Sequence, residues 1–184
     1  IDFVEKPQEF VSDLAMIGIY FFKDGEFLKQ ELKYLMDNNI MKSGEYQLPD
    51  AMLNMKKKGV NFLPGRVDHW MDCGNKNATV DTNKMVLEFE KDRDLVSAEA
   101  NIINSTLIQP VLIAAGAVIE NSVVGPHVSV GANARITNSR VSNSIVREAA
   151  SINNAVIDNS MVGMHASVSL NAKDLSCGDY TTIA

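Results

Sequence analysis

Two short clusters hold the side chains best suited to chemistry: Glu5-Lys6 near the start and Trp70-Met71-Asp72 further on. A lysine is a point charge for phosphate, and a carboxylate suits Mg2+, so an acid, a lysine and an aromatic ring together could bind a sugar phosphate plus a metal. Each cluster ends a stretch that reads as a strand, the place where ligands of α/β sheets collect. Plainer readings stand beside this one. Glu5-Lys6 also fits a solvated strand end, and Asp72 also fits an Asx turn before Gly74. Two histidines, His127 and His165, each precede a valine by three residues and have the chemistry of an acyltransferase base. They fall on different faces of the repeat described below, which weighs against a shared cleft. His69 is read as packing, and the run Lys56-Lys57-Lys58 as a solvated helix end.

These clusters need elements to carry them. Residues 1–4 read as a buried strand ended by Glu5-Lys6-Pro7, and residues 14–22 as an apolar strand ended by the turn Lys23-Asp24-Gly25. Apolar residues at 27, 28, 32, 35 and 36 form a helical stripe that Asp37-Asn38-Asn39 stops. A second helix runs from Pro49 to Gly59, with proline in its first turn and lysines in its last. Residues 60–63 and 67–71 read as short strands, and residues 79–89 as a third helix. Alternating strands and helices predict an α/β region with a mostly parallel sheet.

Beyond residue 100 the sequence changes character. Ile102, Ile119, Ile136, Ile152 and Val168 recur at steps of 17, 17, 16 and 16. Between them stand Leu107 and Ile113, Val124 and Val130, Val141 and Val146, then Ile157 and Val162. Two residues before most of these markers lies a small one: Ser105, Ala117, Ser122, Ala134, Ser139, Ser144, Ala150, Ala155, Ser160 and Ala166. Such hexapeptide spacing predicts a β-helix with three short strands per coil, branched side chains filling the bore and small residues closing the corners. Stacked coils supply the core that no single coil can bury. The pairs Asn104-Ser105, Asn121-Ser122, Asn138-Ser139 and Asn159-Ser160 recur at nearly one phase and can turn the chain by local hydrogen bonds. Residues 168–183 are irregular and read as a cap.

Composition divides the chain in the same place. Eleven of the twelve aromatics precede residue 93, only Tyr180 follows it, and charged residues fall from 28 to 12. Two domains are therefore expected, residues 1–92 and 93–184, joined near Lys91-Asp92-Arg93-Asp94. A net charge of -6 argues against a nucleic-acid or anionic-membrane surface. Cys73 and Cys177 make no disulfide framework, and no apolar run reaches the roughly 18 residues of a membrane span. A soluble, reducing, cytoplasmic setting is the expectation. An opening Ile1 with no leader suggests a processed chain or an excised piece. Neither G-x-G-x-x-G nor G-x-x-x-x-G-K-[ST] occurs, so nothing here cradles a triphosphate alone.

Taken together, Val4-Glu5-Lys6-Pro7, Ala15-Met16-Ile17-Gly18-Ile19-Tyr20, Glu45-Tyr46-Gln47-Leu48-Pro49-Asp50-Ala51 and Trp70-Met71-Asp72-Cys73-Gly74, followed by the hexapeptide repeat, give the chain its likeness. It resembles the sugar-1-phosphate nucleotidyltransferases, across nearly its whole length but only for the later part of the family's pattern. That resemblance implies a partial Rossmann-like nucleotidyltransferase domain followed by a left-handed parallel β-helix. It implies attack of a sugar-1-phosphate on the α-phosphorus of a nucleoside triphosphate, which needs in-line positioning and cations rather than covalent help. Glu5 would bond sugar hydroxyls, Lys6 the sugar's phosphate, and Asp72 would be one of two carboxylates holding Mg2+. Gly18 would admit the sugar, with Tyr20 and Trp70 shaping the wall. The family's glycine-rich opening segment and the partner carboxylate are not found, so the chain alone is expected to be inactive. Met16 stands where the family often has Asn or Ser, which implies one sugar hydrogen bond fewer. A catalytically silent scaffold or sensor is the alternative, with the hexapeptide acyltransferase behind it. Exposed edges of such a prism need cover, so a homo-oligomer is expected.

Overall fold

The computed structural model describes residue 3, residues 9–42 and residues 44–170. They fall into two compact units, Ile1–Trp70 and Met71–Ala184.

The first unit is built on two helices. Helix α1 (Gly25–Asp37) starts where the Asp24 carboxylate accepts the Phe27 N–H at 2.9 Å, satisfying one of the donors a helix start leaves over. It ends at Asn38, followed by Asn39 at φ +52. Helix α2 (Leu48–Lys57) opens with Pro49 in its first turn, and Gly59 at φ +97 turns the chain away after it. The two pack together and bury Leu35, Ala51, Met52 and Met55. Phe62 meets Phe3 and Phe22 edge-on, at centroid distances of 5.0 and 6.2 Å.

The strands expected over residues 14–22, 60–63 and 67–71 are not formed. A strand persists only when its N–H and C=O groups find a neighbouring chain. Among the described residues of this unit the single ladder contact is an isolated bridge between Lys42 and Glu45. Apolar side chains that strands would have buried are open instead, among them Leu14, Ile19, Phe21 and Leu63. The expected strand over residues 1–4 lies almost wholly outside the described residues, as does the cap expected over residues 168–183.

The second unit begins with helix α3 (Lys76–Phe89). It starts three residues before the expected Thr79, because Asn75 accepts the Ala78 N–H at 3.0 Å and caps it. The chain then enters a parallel β-solenoid of about four turns. One face stacks β1 (Asn101–Ile103), β4 (Val118–Glu120), β7 (Arg135–Thr137), β10 (Ser151–Asn153) and β13 (Ser167–Ser169). The second stacks β2 (Thr106–Leu107), β5 (Val123–Val124), β8 (Arg140–Val141) and β11 (Val156–Ile157). The third stacks β3 (Val111–Ile113), β6 (Val128–Val130), β9 (Ser144–Val146) and β12 (Met161–Val162).

Every marker of the sequence repeat pairs with its counterpart in the next coil. Ile102, Ile119, Ile136, Ile152 and Val168 form one column. Leu107, Val124, Val141 and Ile157 form the second, and Ile113, Val130, Val146 and Val162 the third. Those columns, with Ala117, Ala134, Ala150 and Ala155, are the core. Fully burying each large side chain contributes about 1.5–3 kcal/mol.

The corner serines do more than fit. Ser122 Oγ donates to the Glu120 carbonyl at 2.7 Å and accepts the Ser139 N–H at 3.0 Å. Ser139 Oγ repeats this one coil on, donating to the Thr137 carbonyl and accepting the Ala155 N–H at 3.0 Å. At another corner Ser144 Oγ accepts the Ser160 N–H at 3.1 Å. Each hydroxyl satisfies a buried backbone donor of the following coil.

Most corners also place a residue at positive φ, usually Asn, which tolerates it, and the corner at His127 adds Gly125. Asn104, Asn121, Asn138 and Asn154 mark one corner, His127, Asn143 and Asn159 the next, and Gly116, Asn133, Ala149 and His165 the third. This corrects the pairing read from sequence: Asn159-Ser160 belongs to the second corner, and Asn154-Ala155 continues the first.

Candidate functional site

Asp72 sits in a tight turn at the foot of α3. Its Oδ1 accepts the Gly74 N–H at 2.8 Å, an Asx turn, and leaves the rest of the exposed carboxylate toward solvent. Thr82 Oγ1 donates to the Asp72 carbonyl at 2.7 Å, and Thr79 Oγ1, whose shorter bond goes to the Asn75 carbonyl at 2.8 Å, lies 3.3 Å from the Cys73 carbonyl. Thr82, in the second turn of the helix, is therefore the main fastening of the turn. Cys73 is a free, exposed thiol.

Helix α3 is in turn fastened to the solenoid along the second corner. Asn83 Nδ2 donates to the His127 carbonyl at 3.3 Å, while its Oδ1 accepts from Ser129 Oγ at 2.6 Å. Lys76 Nζ donates to the Asn159 carbonyl at 2.8 Å. Near the other end of α3, His127 Nε2 lies 2.7 Å from Glu88 Oε1. Its Nδ1 faces Asn143 Oδ1 at 3.3 Å, and Asn143 Nδ2 donates to Asp158 Oδ1 at 2.8 Å. Val80 and Leu87 supply the apolar part of this seam.

The bond from His127 holds the Glu88 carboxyl below its ordinary range; desolvation opposes this, and the Lys91 ammonium adds to it. Hydrogen bonds from Ser142 and then Asn143 lower the Asp158 carboxyl in the same way.

The remaining sequence candidates stand in the first unit. Gly18 has φ +80 with nothing near the position a Cβ would take. Tyr20 packs its ring 6.2 Å from Phe22, and Trp70 is largely exposed. Glu5 and Lys6 lie outside the described residues. A cavity of about 300 Å³ in this unit is lined by Lys56, Gly59, Val60, Asn61 and Phe62, none of them nominated from sequence. No cluster of three or more His, Cys, Asp or Glu suited to a metal occurs among the described residues. Asp72 alone does not compose a magnesium site, although Mg2+ commonly takes one or two protein carboxylates and completes its shell with substrate phosphates and water.

Sequence reasoning missed the polar seam of Asn83, Glu88, Asn143 and Asp158. It also missed two carboxylates of the first unit. Glu31, fully buried, meets Lys58 Nζ at 2.5 Å, and the buried Asp50 meets Lys42 Nζ. One signal for the seam was legible: His127 stands where the next coils carry Asn143 and Asn159. His165 belongs to the third corner, so the two histidines do not share a cleft.

Residues 1–88 match the family model described as nucleotidyl transferase. Over 163 residues the chain is 29% identical to glucose-1-phosphate thymidylyltransferase of Streptomyces antibioticus, and equally to that of Streptomyces griseus. Each match covers 80% of this chain and 44% of the relative. A glucose-1-phosphate adenylyltransferase of Lachnospira eligens is 29% identical over 148 residues, covering 80% of this chain and 34% of the relative. The chain thus spans less than half the length of these relatives. A nucleotidyltransferase region followed by a hexapeptide solenoid defines the class of protein. Within that class, the chain is similar to sugar-1-phosphate nucleotidyltransferases.

Proposed function

We propose that this chain is the sugar-phosphate side and the β-helix of an enzyme that makes an NDP-sugar and pyrophosphate from a nucleoside triphosphate and a hexose-1-phosphate. The reading rests chiefly on one observation: likeness to two glucose-1-phosphate thymidylyltransferases runs over 163 residues, a span that includes residues beyond the 1–88 family match. Glucose-1-phosphate thymidylyl or uridylyl transfer is the favoured reaction, with mannose-1-phosphate guanylyl transfer next. Residues 1–92 form the nucleotidyltransferase portion and residues 93–184 the left-handed β-helix.

In this reading Glu5 bonds the sugar hydroxyls and Lys6 its phosphate. Gly18, free of a side chain at positive φ, admits the sugar ring between Tyr20 and Trp70. Asp72 gives one carboxylate oxygen to Mg2+, which when bound offsets charge on the approaching phosphates. The threonine bonds to the Asp72 and Cys73 carbonyls keep that carboxylate oriented. Triphosphate grip and a second carboxylate come from sequence outside these 184 residues, so the chain alone turns nothing over. The enzyme acts in the cytoplasm as a homo-oligomer whose contacts cover the open strand edges of the end coils. Among the described residues no helix is long and apolar enough to cross a membrane.

The test is pyrophosphorolysis of dTDP-glucose, assayed for the 184-residue chain and for the product of the whole reading frame. Turnover only by the latter is expected. Turnover by the shorter chain would refute its inactivity, and none by either would favour a silent scaffold.

A further inference from the structure

We propose that His127 is a positioning residue: held at a corner of the solenoid, it pins helix α3 and through that helix fixes the turn that carries Asp72. The proposal rests on the reading of Asp72 as the metal-binding carboxylate.

Both ring nitrogens face acceptors. Nε2 meets a carboxylate oxygen of Glu88 at 2.7 Å, and Nδ1 meets Asn143 Oδ1 at 3.3 Å. The Asn143 amide is oriented by its own neighbour, since its Nδ2 must donate to Asp158 Oδ1 at 2.8 Å. The ring thus bridges α3 on one side and the corner of the next coil on the other.

The corner itself does not call for histidine. Equivalent positions one and two coils on hold Asn143 at φ +42 and Asn159 at φ +46, against +59 at His127. Asparagine fits the backbone as well, so the imidazole is explained by what it reaches, the last turn of α3. From there the path to Asp72 is continuous. Glu88 and Asn83 hold the helix to the corner at His127, Lys76 holds it at Asn159, and Thr82 and Thr79 tie it to the carbonyls of Asp72 and Cys73. A 14-residue helix fastened at three points is a stiff arm.

Charged groups around the ring come from each packed element. Glu88, with Lys91 behind it at 3.7 Å, faces it from the α3 side. Asp158 faces it through Asn143 from the following coils, with Arg140 in that carboxylate's field.

The experiment is hydrogen exchange on the 184-residue chain, comparing wild type with His127→Asn, which keeps the corner's backbone, and with Glu88→Gln on the helix side. In His127→Asn, exchange of the α3 amides and of the Gly74 N–H should accelerate about tenfold, while amides of β4, β7 and β10 keep their rates. Glu88→Gln, which weakens the same contact from the helix side, should accelerate the same amides. Unchanged exchange at Gly74 and α3 in His127→Asn overturns the proposal. In the whole-frame enzyme His127→Asn should lower kcat several-fold with KM for the sugar phosphate unchanged. If exchange responds but Asp72→Asn turns over normally, the reading of Asp72 falls and the docking stands. If Asp72→Asn is inactive and exchange does not respond, the docking falls and that reading stands.

Discussion

The Nε2 of His127 and the Oε1 of Glu88, 39 residues apart in sequence, lie 2.7 Å from each other. Their contact joins helix α3 to a corner of the solenoid within the second unit.

Acid should open that seam. The Glu88 carboxyl is lowered in the folded chain, chiefly by the bond from His127. A lowered carboxylate stabilises the fold above its unfolded value, and that contribution is lost as pH falls through the folded value. Thermal unfolding followed across the acid range should show wild type more stable than Glu88→Gln near neutrality. The gap should close as the medium becomes acidic, and a gap independent of pH would contradict the assignment.

Ser139→Ala removes the acceptor of the buried Ala155 N–H. The Thr137 carbonyl keeps a second donor in the Asn154 N–H, so the loss falls mainly on one orphaned donor. A destabilisation of about 1–3 kcal/mol is expected from urea unfolding. A neutral result would mean that the serines serve only as small residues.

Ile136 is fully buried between Ile119 and Ile152 in the longest column. Ile136→Ala should cost about 2–5 kcal/mol. Val156→Ala, on an exposed side chain of the second face, should stay within about 0.5 kcal/mol. Equal effects at the two positions would deny the inward columns.

The solenoid was legible because its signal is a period: all three columns of Ile, Val and Leu fall at the spacing of the markers. Small residues at the corners were legible too, but not the reason for serine, which lies in a bond to the next coil rather than in size. Helix ends could be read from Asp37-Asn38-Asn39, Pro49 and Gly59, but not the cap at Asp24, which reads as a turn. The helix start at Asn75 was missed because a cap is a single residue with no periodic support. Residues 14–22, 60–63 and 67–71 look like strands, yet an apolar run does not specify a partner, and without one no ladder forms. At the site, Asp72 could be singled out, and its alternative reading as an Asx turn is also what its geometry contains. The seam through Asn83, Glu88 and Asp158 was illegible, because polar side chains on a helix face look solvated until the surface opposite is known.

Gly125 is the corner where backbone approach is tightest. At φ +115, a Cβ built there would stand 1.9 Å from the Ile108 carbonyl oxygen of the preceding coil. Gly125→Ala should therefore cost about 3 kcal/mol or more and lower the yield of folded protein. Wild-type stability in this variant would show that coils can slide apart locally without penalty.

The most direct test is pyrophosphate release from dTTP and glucose-1-phosphate with Mg2+, measured for the protein of the whole reading frame and for its Asp72→Asn variant. Robust release by the wild type, falling about a hundredfold or more in the variant, is the predicted result. No release with any pairing of nucleoside triphosphate and hexose-1-phosphate, or equal release by both proteins, would contradict it.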